Sequence, residues 1–355
     1  RRLLDDGGRV LLQGFGGMGK SALAASAAAD WLDDERGAVL WLRAGNDSAG
    51  ALFEALARPL GAQAEVAHAP GDEKAKTVRR LLAEHGVSLL VLDDVWDGAA
   101  LSQALKAVPR RTPVLVTAQQ RYALDHIIEV GKLAEADALD VLGYYAGQDV
   151  RADPAARELC QQVGYHAFAL EIAGKTLKVD RITPGELLAR IAAAPHELAM
   201  PEDFAEEGRT STTELLTASL AALDDDARQA FLAFGGMFAP QATPELLART
   251  MARAEASVTE ALITLQRRGL ADRIRESERS AAFYRVHDLA YSYARAVAGE
   301  AESTRRAALD ACRAYAEAHE SDLPALEAEL PNLLGAADTA RQQGDDAALA
   351  AMMRV

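Results

Sequence analysis

Four short apolar runs without polar alternation open the chain: Arg9-Val10-Leu11-Leu12-Gln13, Ala38-Val39-Leu40-Trp41-Leu42, Ser88-Leu89-Leu90-Val91-Leu92 and Val114-Leu115-Val116-Thr117. Ile127-Ile128-Glu129-Val130 makes a fifth candidate. Runs of this length with no period of two predict parallel strands buried on both faces. Helical patterns fill the gaps, from Lys20 to Leu32 and near residues 47–60 and 72–85. Alternating strands and helices predict a doubly wound α/β sheet.

After about residue 133 the strand signal stops. Ala134 to Ala193 is helical in period, with breaks at Asp153-Pro154, Gly164 and Thr183-Pro184. Residues 195–212, with two prolines and many charges, predict a linker. Three helical patterns fill 213–268, separated by Leu223-Asp224-Asp225 and by Gly235 to Pro244. Leu270–Arg275 and Phe283–Val286 then flank the polar stretch Glu276-Ser277-Glu278-Arg279-Ser280, a hairpin pattern. Three helices and a hairpin describe a winged helix-turn-helix. From about residue 300 the pattern is helical again. Leu330-Pro331-Asn332 is placed at the start of one helix, and Gly344-Asp345-Asp346 turns into another, as in the first hairpin of a repeat array. The expected domains are therefore 1–132, 133–200, 206–299 and 300–355.

Length and composition fit this plan. At about 150 residues per domain, 355 residues make two or three domains. Half of the residues are hydrophobic and 26% are charged, the balance of a globular chain rather than a disordered one. No run of about 18 apolar residues occurs, so no membrane-spanning helix is expected. The 38 basic against 53 acidic residues leave a net charge of −15, which opposes non-specific binding to nucleic acid and to anionic lipid. Cys160 and Cys312 are far apart and form neither a zinc nor a redox motif, consistent with a cytoplasmic location. Residue 1 is Arg, so the sequence is read as an excised fragment.

The chemistry concentrates in Gly14-Phe15-Gly16-Gly17-Met18-Gly19-Lys20-Ser21, which satisfies G-x-x-x-x-G-K-[ST] between a predicted strand and a predicted helix. Glycines allow backbone N–H groups to turn inward around an anion. Lys20 brings positive charge to the β- and γ-phosphates of a nucleotide, Ser21 supplies a hydroxyl for Mg²⁺, and the helix that begins at Lys20, Ser21 and Ala22 points its positive end the same way. A structural glycine turn is the plain alternative, and the strand–loop–helix context argues against it. About 70 residues on, Leu89-Leu90-Val91-Leu92-Asp93-Asp94 is an apolar strand ending in paired acids. Asp93 is assigned to Mg²⁺ and Asp94 to orienting or deprotonating the attacking water. Without the phosphate loop, both would read as turn or cap residues. No N-K-x-D occurs, so the expected base is adenine.

Two weaker segments are Val286-His287-Asp288-Leu289 and Gly164-Tyr165-His166-Ala167-Phe168-Ala169-Leu170. By themselves they are a capping pair and a glycine turn. Together with the phosphate loop and the acidic strand Leu89 to Trp96, in that order, they resemble the NB-ARC class of STAND signal-transduction ATPases. That class includes the apoptotic protease-activating factor, plant disease-resistance proteins and many bacterial regulators. Leu133 to Leu142 is similar to the family's entry into its helical domain, and the resemblance covers about residues 1 to 300.

The resemblance implies a nucleotide-binding sheet, a helical domain, a winged helix and a further helical segment, flanked in the full-length protein by an N-terminal effector and C-terminal sensor repeats. It implies a switch using ADP, ATP and Mg²⁺. ADP would be held closed between sheet and winged helix, ATP exchange would open the protein to form a homo-oligomer, and hydrolysis would be slow. By position, His287 would contact the ADP phosphates and Ala167 would stand where the family has a proline over the nucleotide. Val286 replaces the family's Met. Gln119 occupies the place of the family's γ-phosphate-sensing Arg, with Arg121 two residues late.

A DNA-binding regulator is the runner-up, because Arg267, Arg268, Arg273, Arg275, Arg279 and Arg285 cluster around the expected hairpin. Net negative charge and the use of the same edge for ADP oppose it. A nucleoside kinase would need an arginine-bearing lid, which the sequence does not offer.

Overall fold

Each of the five predicted strands of the first third forms, and they join into one parallel sheet. The fold comes from a computed structural model that describes residues 2–5, 7–45, 47–193, 209–275, 281–298 and 302–352. The chain packs as two compact units, Arg1–Gly131 and Lys132–Val355.

In the first unit the order is α1 (Arg2–Asp5), β1 (Arg9–Gln13), α2 (Lys20–Asp33), β2 (Ala38–Gly45), α3 (Ala49–Ala57), α4 (Gln63–His68), α5 (Gly71–Glu84), β3 (Val87–Val95), α6 (Gly98–Lys106), β4 (Val114–Ala118) and β5 (His126–Glu129). The sheet order is β2-β3-β4-β1-β5. Leu11 pairs with Val116 on one side of β1 and with Ile127 on the other. Successive residues point to opposite faces. Leu11, Leu90, Leu92, Val114 and Val116 meet Leu52, Leu56, Val78, Leu82 and Leu101. Val10, Leu12, Leu89, Val91 and Leu115 meet Ala24 and Ala28 of α2. Both faces are covered, which is why the strands lack polar alternation. All strands being parallel, their C-terminal ends share one edge, and β1, flanked by β4 and β5, opens a crevice there.

The second unit is helical except for one small sheet, among the described residues. It contains α7 (Glu135–Ala146), α8 (Pro154–Gln162), α9 (Ala167–Asp180), α10 (Pro184–Ala192), α11 (Arg209–Ala221), α12 (Asp225–Phe234), β6 (Gln241–Ala242), α13 (Pro244–Met251), α14 (Glu255–Arg267), β7 (Asp272–Ile274), β8 (Phe283–Arg285), α15 (Asp288–Ala298), α16 (Glu302–Ala318), α17 (Leu323–Gln343) and α18 (Asp346–Met352). Capping follows the sequence. Asp153, Thr183, Asp224 and Thr243 each accept an N–H bond at a helix start, and Thr183 with Glu186 forms a capping box.

Three expectations need correction. Residues 209–268 form four helices rather than three, because Ala252 takes a left-handed conformation with φ 51 and ends α13 without a glycine or proline to signal it. A two-residue strand, β6, lies inside the expected loop and pairs with β8. Pro331 does not start a helix but sits inside α17. An interior proline costs a helix about 3 kcal/mol. Burial of Leu326, Leu333, Glu329 and Asn332 on both sides of it holds the helix together. Most of the expected linker, residues 195–208 of 195–212, and the hairpin tip 276–280 lie outside the described residues. α11 already takes up residues 209–212.

Candidate functional site

The loop 14–19 leaves β1 at the shared strand edge. The Gly14 N–H bonds to the Ala118 carbonyl at 3.2 Å. A Cβ on Gly14 would lie 2.2 Å from the Val130 carbonyl oxygen, so only glycine fits. Gly17 and Gly19 have φ of 75 and 88, the left-handed region that side chains resist. This is the backbone condition for a concave row of N–H donors. Gly19 is the N-cap of α2 and brings no side-chain acceptor, so no cap side chain competes with an anion for the first turn of α2. Lys20 begins α2, is 8% exposed, and donates from Nζ to the Phe15 carbonyl at 2.7 Å across the loop. Gly16 and Met18 belong to the same loop, and Ala22 is exposed in the first turn of α2 beside Ser21.

Ser21 Oγ donates to Asp93 Oδ1 at 2.7 Å, and Thr117 Oγ1 donates to the same oxygen at 2.6 Å. The start of α2 and the end of β4 thus converge on one carboxylate at the end of β3 that is 9% exposed. These are hard oxygen donors. Among the described residues no group of three or more His, Cys, Asp or Glu could cage a metal. A hydroxyl and one carboxylate suit Mg²⁺, which prefers one or two protein oxygens together with phosphate and water.

Asp94 points elsewhere. Its φ is 58, its backbone N–H bonds to Thr117 Oγ1 at 2.8 Å, and both carboxylate oxygens are engaged. Arg43 Nη2 donates to Oδ2 at 2.8 Å and Trp96 Nε1 donates to Oδ1 at 2.9 Å. Arg43 lies opposite Asp93 in the β2–β3 register. Neither Arg43 nor the double role of Thr117 was foreseen. The signals are there: Thr117 is the one polar residue in a five-residue buried strand, and Arg43 is the one charge in β2. Gln119 is exposed, and its carbonyl accepts from Gln13 Nε2 at 3.0 Å. Arg121 is also exposed and pairs with Glu129 at 3.4 Å.

Within the second unit the two weaker segments come together. His166 is the N-cap of α9, and Ala167 is its first residue. Phe168 stacks on His287, ring centroids 3.9 Å apart and planes 20° from parallel. His287 Nδ1 accepts the Leu289 N–H at 3.2 Å, which places the proton of the neutral ring on Nε2. In that tautomer Nε2 carries the hydrogen.

The basic cluster is partly committed. Arg268 is 12% exposed at its side chain and clamps Asp180 at 2.7 Å, while Arg285 donates to Gln241 at 2.7 Å. Arg279 lies outside the described residues.

Residues 1–146 match the family model of the NB-ARC domain. No curated protein matches the chain in sequence. Among solved structures the chain is similar to Cdc6p from Pyrobaculum aerophilum, at 14% identity and a TM-score of 0.38, covering 86% of this chain and 90% of that one. It is also similar to a structure of Drosophila ORC bound to DNA, at 11% identity and a TM-score of 0.36, covering 83% of each. Among the described residues no helix is long and apolar enough to cross a membrane.

Proposed function

We propose that this chain, whose first 146 residues carry an NB-ARC domain, is an adenine-nucleotide switch with slow ATPase activity. The observation that carries the reading is the convergence of Gly17, Gly19, Lys20, Ser21 and Asp93 at the C-terminal edge of a parallel sheet. A glycine loop, a buried Lys and a Ser–Asp pair together meet the needs of a Mg²⁺-triphosphate.

In this reading the loop N–H groups and the start of α2 bind the phosphates, and Lys20 leaves the Phe15 carbonyl for the β- and γ-oxygens. Ser21 and Asp93 would hold Mg²⁺, which when bound neutralises charge building between the β- and γ-phosphates. Thr117 keeps the Asp93 carboxylate oriented. Asp94 takes the proton of the attacking water. His287, with its donor on Nε2, serves the phosphates of ADP, and Ala167 lies over the nucleotide. ADP holds the protein closed, and ATP exchange releases it to assemble with further copies and drive an effector. The partition into 1–132, 133–200, a winged helix at 206–299 and a helical segment at 300–355 belongs to the same proposal. So does a cytoplasmic location.

The test is the nucleotide that copurifies. Denatured protein run on an anion-exchange column is expected to release ADP, with little ATP. A guanine nucleotide, or none at all after loading with Mg²⁺-ADP, overturns the reading.

A further inference from the structure

The Asp94 carboxylate is tied down in a way that general-base chemistry does not need. A base needs a lone pair directed at the water. Here Arg43 holds Oδ2 at 2.8 Å and the Trp96 indole holds Oδ1 at 2.9 Å. The pair is shielded, with side-chain exposures of 31% for Arg43 and 14% for Asp94. The backbone contributes as well. Asp94 sits at φ 58, fixed there by the Thr117 bond to its N–H, so the side chain is aimed at β2 rather than along β3. Asp93, one residue earlier, faces Ser21 instead. Two adjacent acids are thus sent to opposite tasks.

We propose that Arg43 is a positioning residue that restrains hydrolysis by holding Asp94 in an ion pair, with Trp96 as the second tether. The proposal rests on the nucleotide reading above. In the step it governs, a water oxygen forms a bond to the γ-phosphorus while the bond from that phosphorus to the β,γ-bridging oxygen breaks. The electron pair of the broken bond leaves with ADP, and the water's proton passes to an Asp94 oxygen. While Arg43 and Trp96 hold one Asp94 oxygen each, the carboxylate cannot turn a lone pair toward the water without breaking one of these bonds. A charge-assisted hydrogen bond of about 1.5–3 kcal/mol sets the size of the restraint at roughly 10- to 150-fold. Slow turnover is then built into the site itself, on the strand next to Asp94, rather than arising only from the Gln119 replacement.

The experiment compares single-turnover ATP hydrolysis by the wild-type chain, Arg43→Gln, Arg43→Lys, Trp96→Phe, Asp94→Asn and the Arg43→Gln/Asp94→Asn double variant, each with bound nucleotide quantified. Arg43→Gln is expected to hydrolyse on the order of tenfold faster with KM unchanged. Arg43→Lys should fall back toward the wild-type rate, and the double variant should drop to the Asp94→Asn level. Trp96 is half exposed, so Trp96→Phe tests the second tether should Arg43→Gln fail to fold. It is expected to rise as well, by less. Nucleotide-loaded Arg43→Gln that turns over at or below the wild-type rate overturns the restraint while leaving the nucleotide reading intact. So does a double variant as fast as Arg43→Gln. If no variant, wild type included, takes up Mg²⁺-ATP, the nucleotide reading itself has failed.

Discussion

The imidazole of His287 lies flat against the ring of Phe168, 3.9 Å between centroids. One residue belongs to the start of α9 and the other to the turn before α15, 119 positions later in the chain, as the difference between 287 and 168. The contact fixes the plane of the imidazole, and the Leu289 N–H fixes its tautomer. Aromatic pairs of this kind contribute about 0.5–1.5 kcal/mol beyond their buried area. A ring held in plane and tautomer has a fixed direction for its N–H.

His287→Ala is therefore expected to speed ADP release by roughly 10- to 150-fold, the span that one hydrogen bond to a charged acceptor covers. Phe168→Leu keeps the donor but frees its plane, and should speed release by less. Stopped-flow displacement of a fluorescent ADP analogue measures both. An unchanged off-rate in His287→Ala would reduce the residue to a helix-start cap.

Lys20→Ala should abolish nucleotide binding, because in the proposed site Lys20 is the side-chain cation that meets the phosphates. The thermal midpoint should fall too. A ligand that binds only the folded state stabilises it by about 2.7 kcal/mol at a hundredfold excess over Kd. Gly19→Ala should act in the same direction, since φ 88 strains any side chain there. Equal melting curves with and without Mg²⁺-ADP in wild type would contradict the role.

Thr117→Val removes a hydroxyl that donates to Asp93 and accepts from the Asp94 N–H, at nearly constant shape. Thr117 is fully buried, so the N–H left behind has no water to turn to. A loss of about 1–3 kcal/mol follows. Urea unfolding of the nucleotide-free chain should show a lower midpoint at unchanged slope, and binding should depend less steeply on Mg²⁺. A midpoint within error of wild type would mean that water replaces the hydroxyl.

The sheet was legible because both-sided burial writes continuous apolar runs, and the phosphate loop because glycine positions are dictated by φ and by close approach. Leu89 to Asp94 declared both a strand and its acidic end. What sequence could not show was which groups hold the two acids in different directions, since Thr117 and Arg43 come from other strands. Pairing across a parallel sheet leaves no local pattern. Pro331 misled for the opposite reason: its local preference is strong, and tertiary burial around Glu329 and Asn332 overrides it. Ala252 likewise takes a left-handed turn that composition gives no reason to expect. Nothing in the sequence around Phe168 marks it as the partner of the His287 ring, because the two lie far apart in the chain.

The same polar insert in α17 gives a pH signature. Glu329 is fully buried; its carboxylate accepts the Thr243 N–H, and Asn332 Nδ2 donates to it at 2.7 Å. Asn332 Oδ1 in turn accepts the Phe238 and Ala239 N–H groups at 3.1 and 2.8 Å, so α17 satisfies the strand-entry loop before α13. Burial raises the Glu329 carboxyl from 4.5 to about 7, against the opposing pull of the Thr243 and Asn332 bonds. The folded state then binds this proton more tightly than the unfolded chain does. Its contribution is fully present below about pH 4.5 and is lost as pH rises through about 7. The slope approaches about 1.4 kcal/mol per pH unit for a single proton. Neighbours complicate the raw curve. Glu245 is desolvated, yet its bonds from Arg249 and His319 outweigh that and lower it, so it acts with the opposite sign at more acidic pH. Burial and Glu329 itself push the Tyr315 and Cys312 groups upward, out of the range concerned. The difference between wild type and Glu329→Gln isolates the one carboxyl. Urea midpoints measured from pH 5 to pH 8 should fall with pH in wild type and flatten in Glu329→Gln, whose amide cannot ionise. Parallel curves for the two proteins would show that Glu329 stays ionised in its buried site, held there by the Thr243 and Asn332 donors.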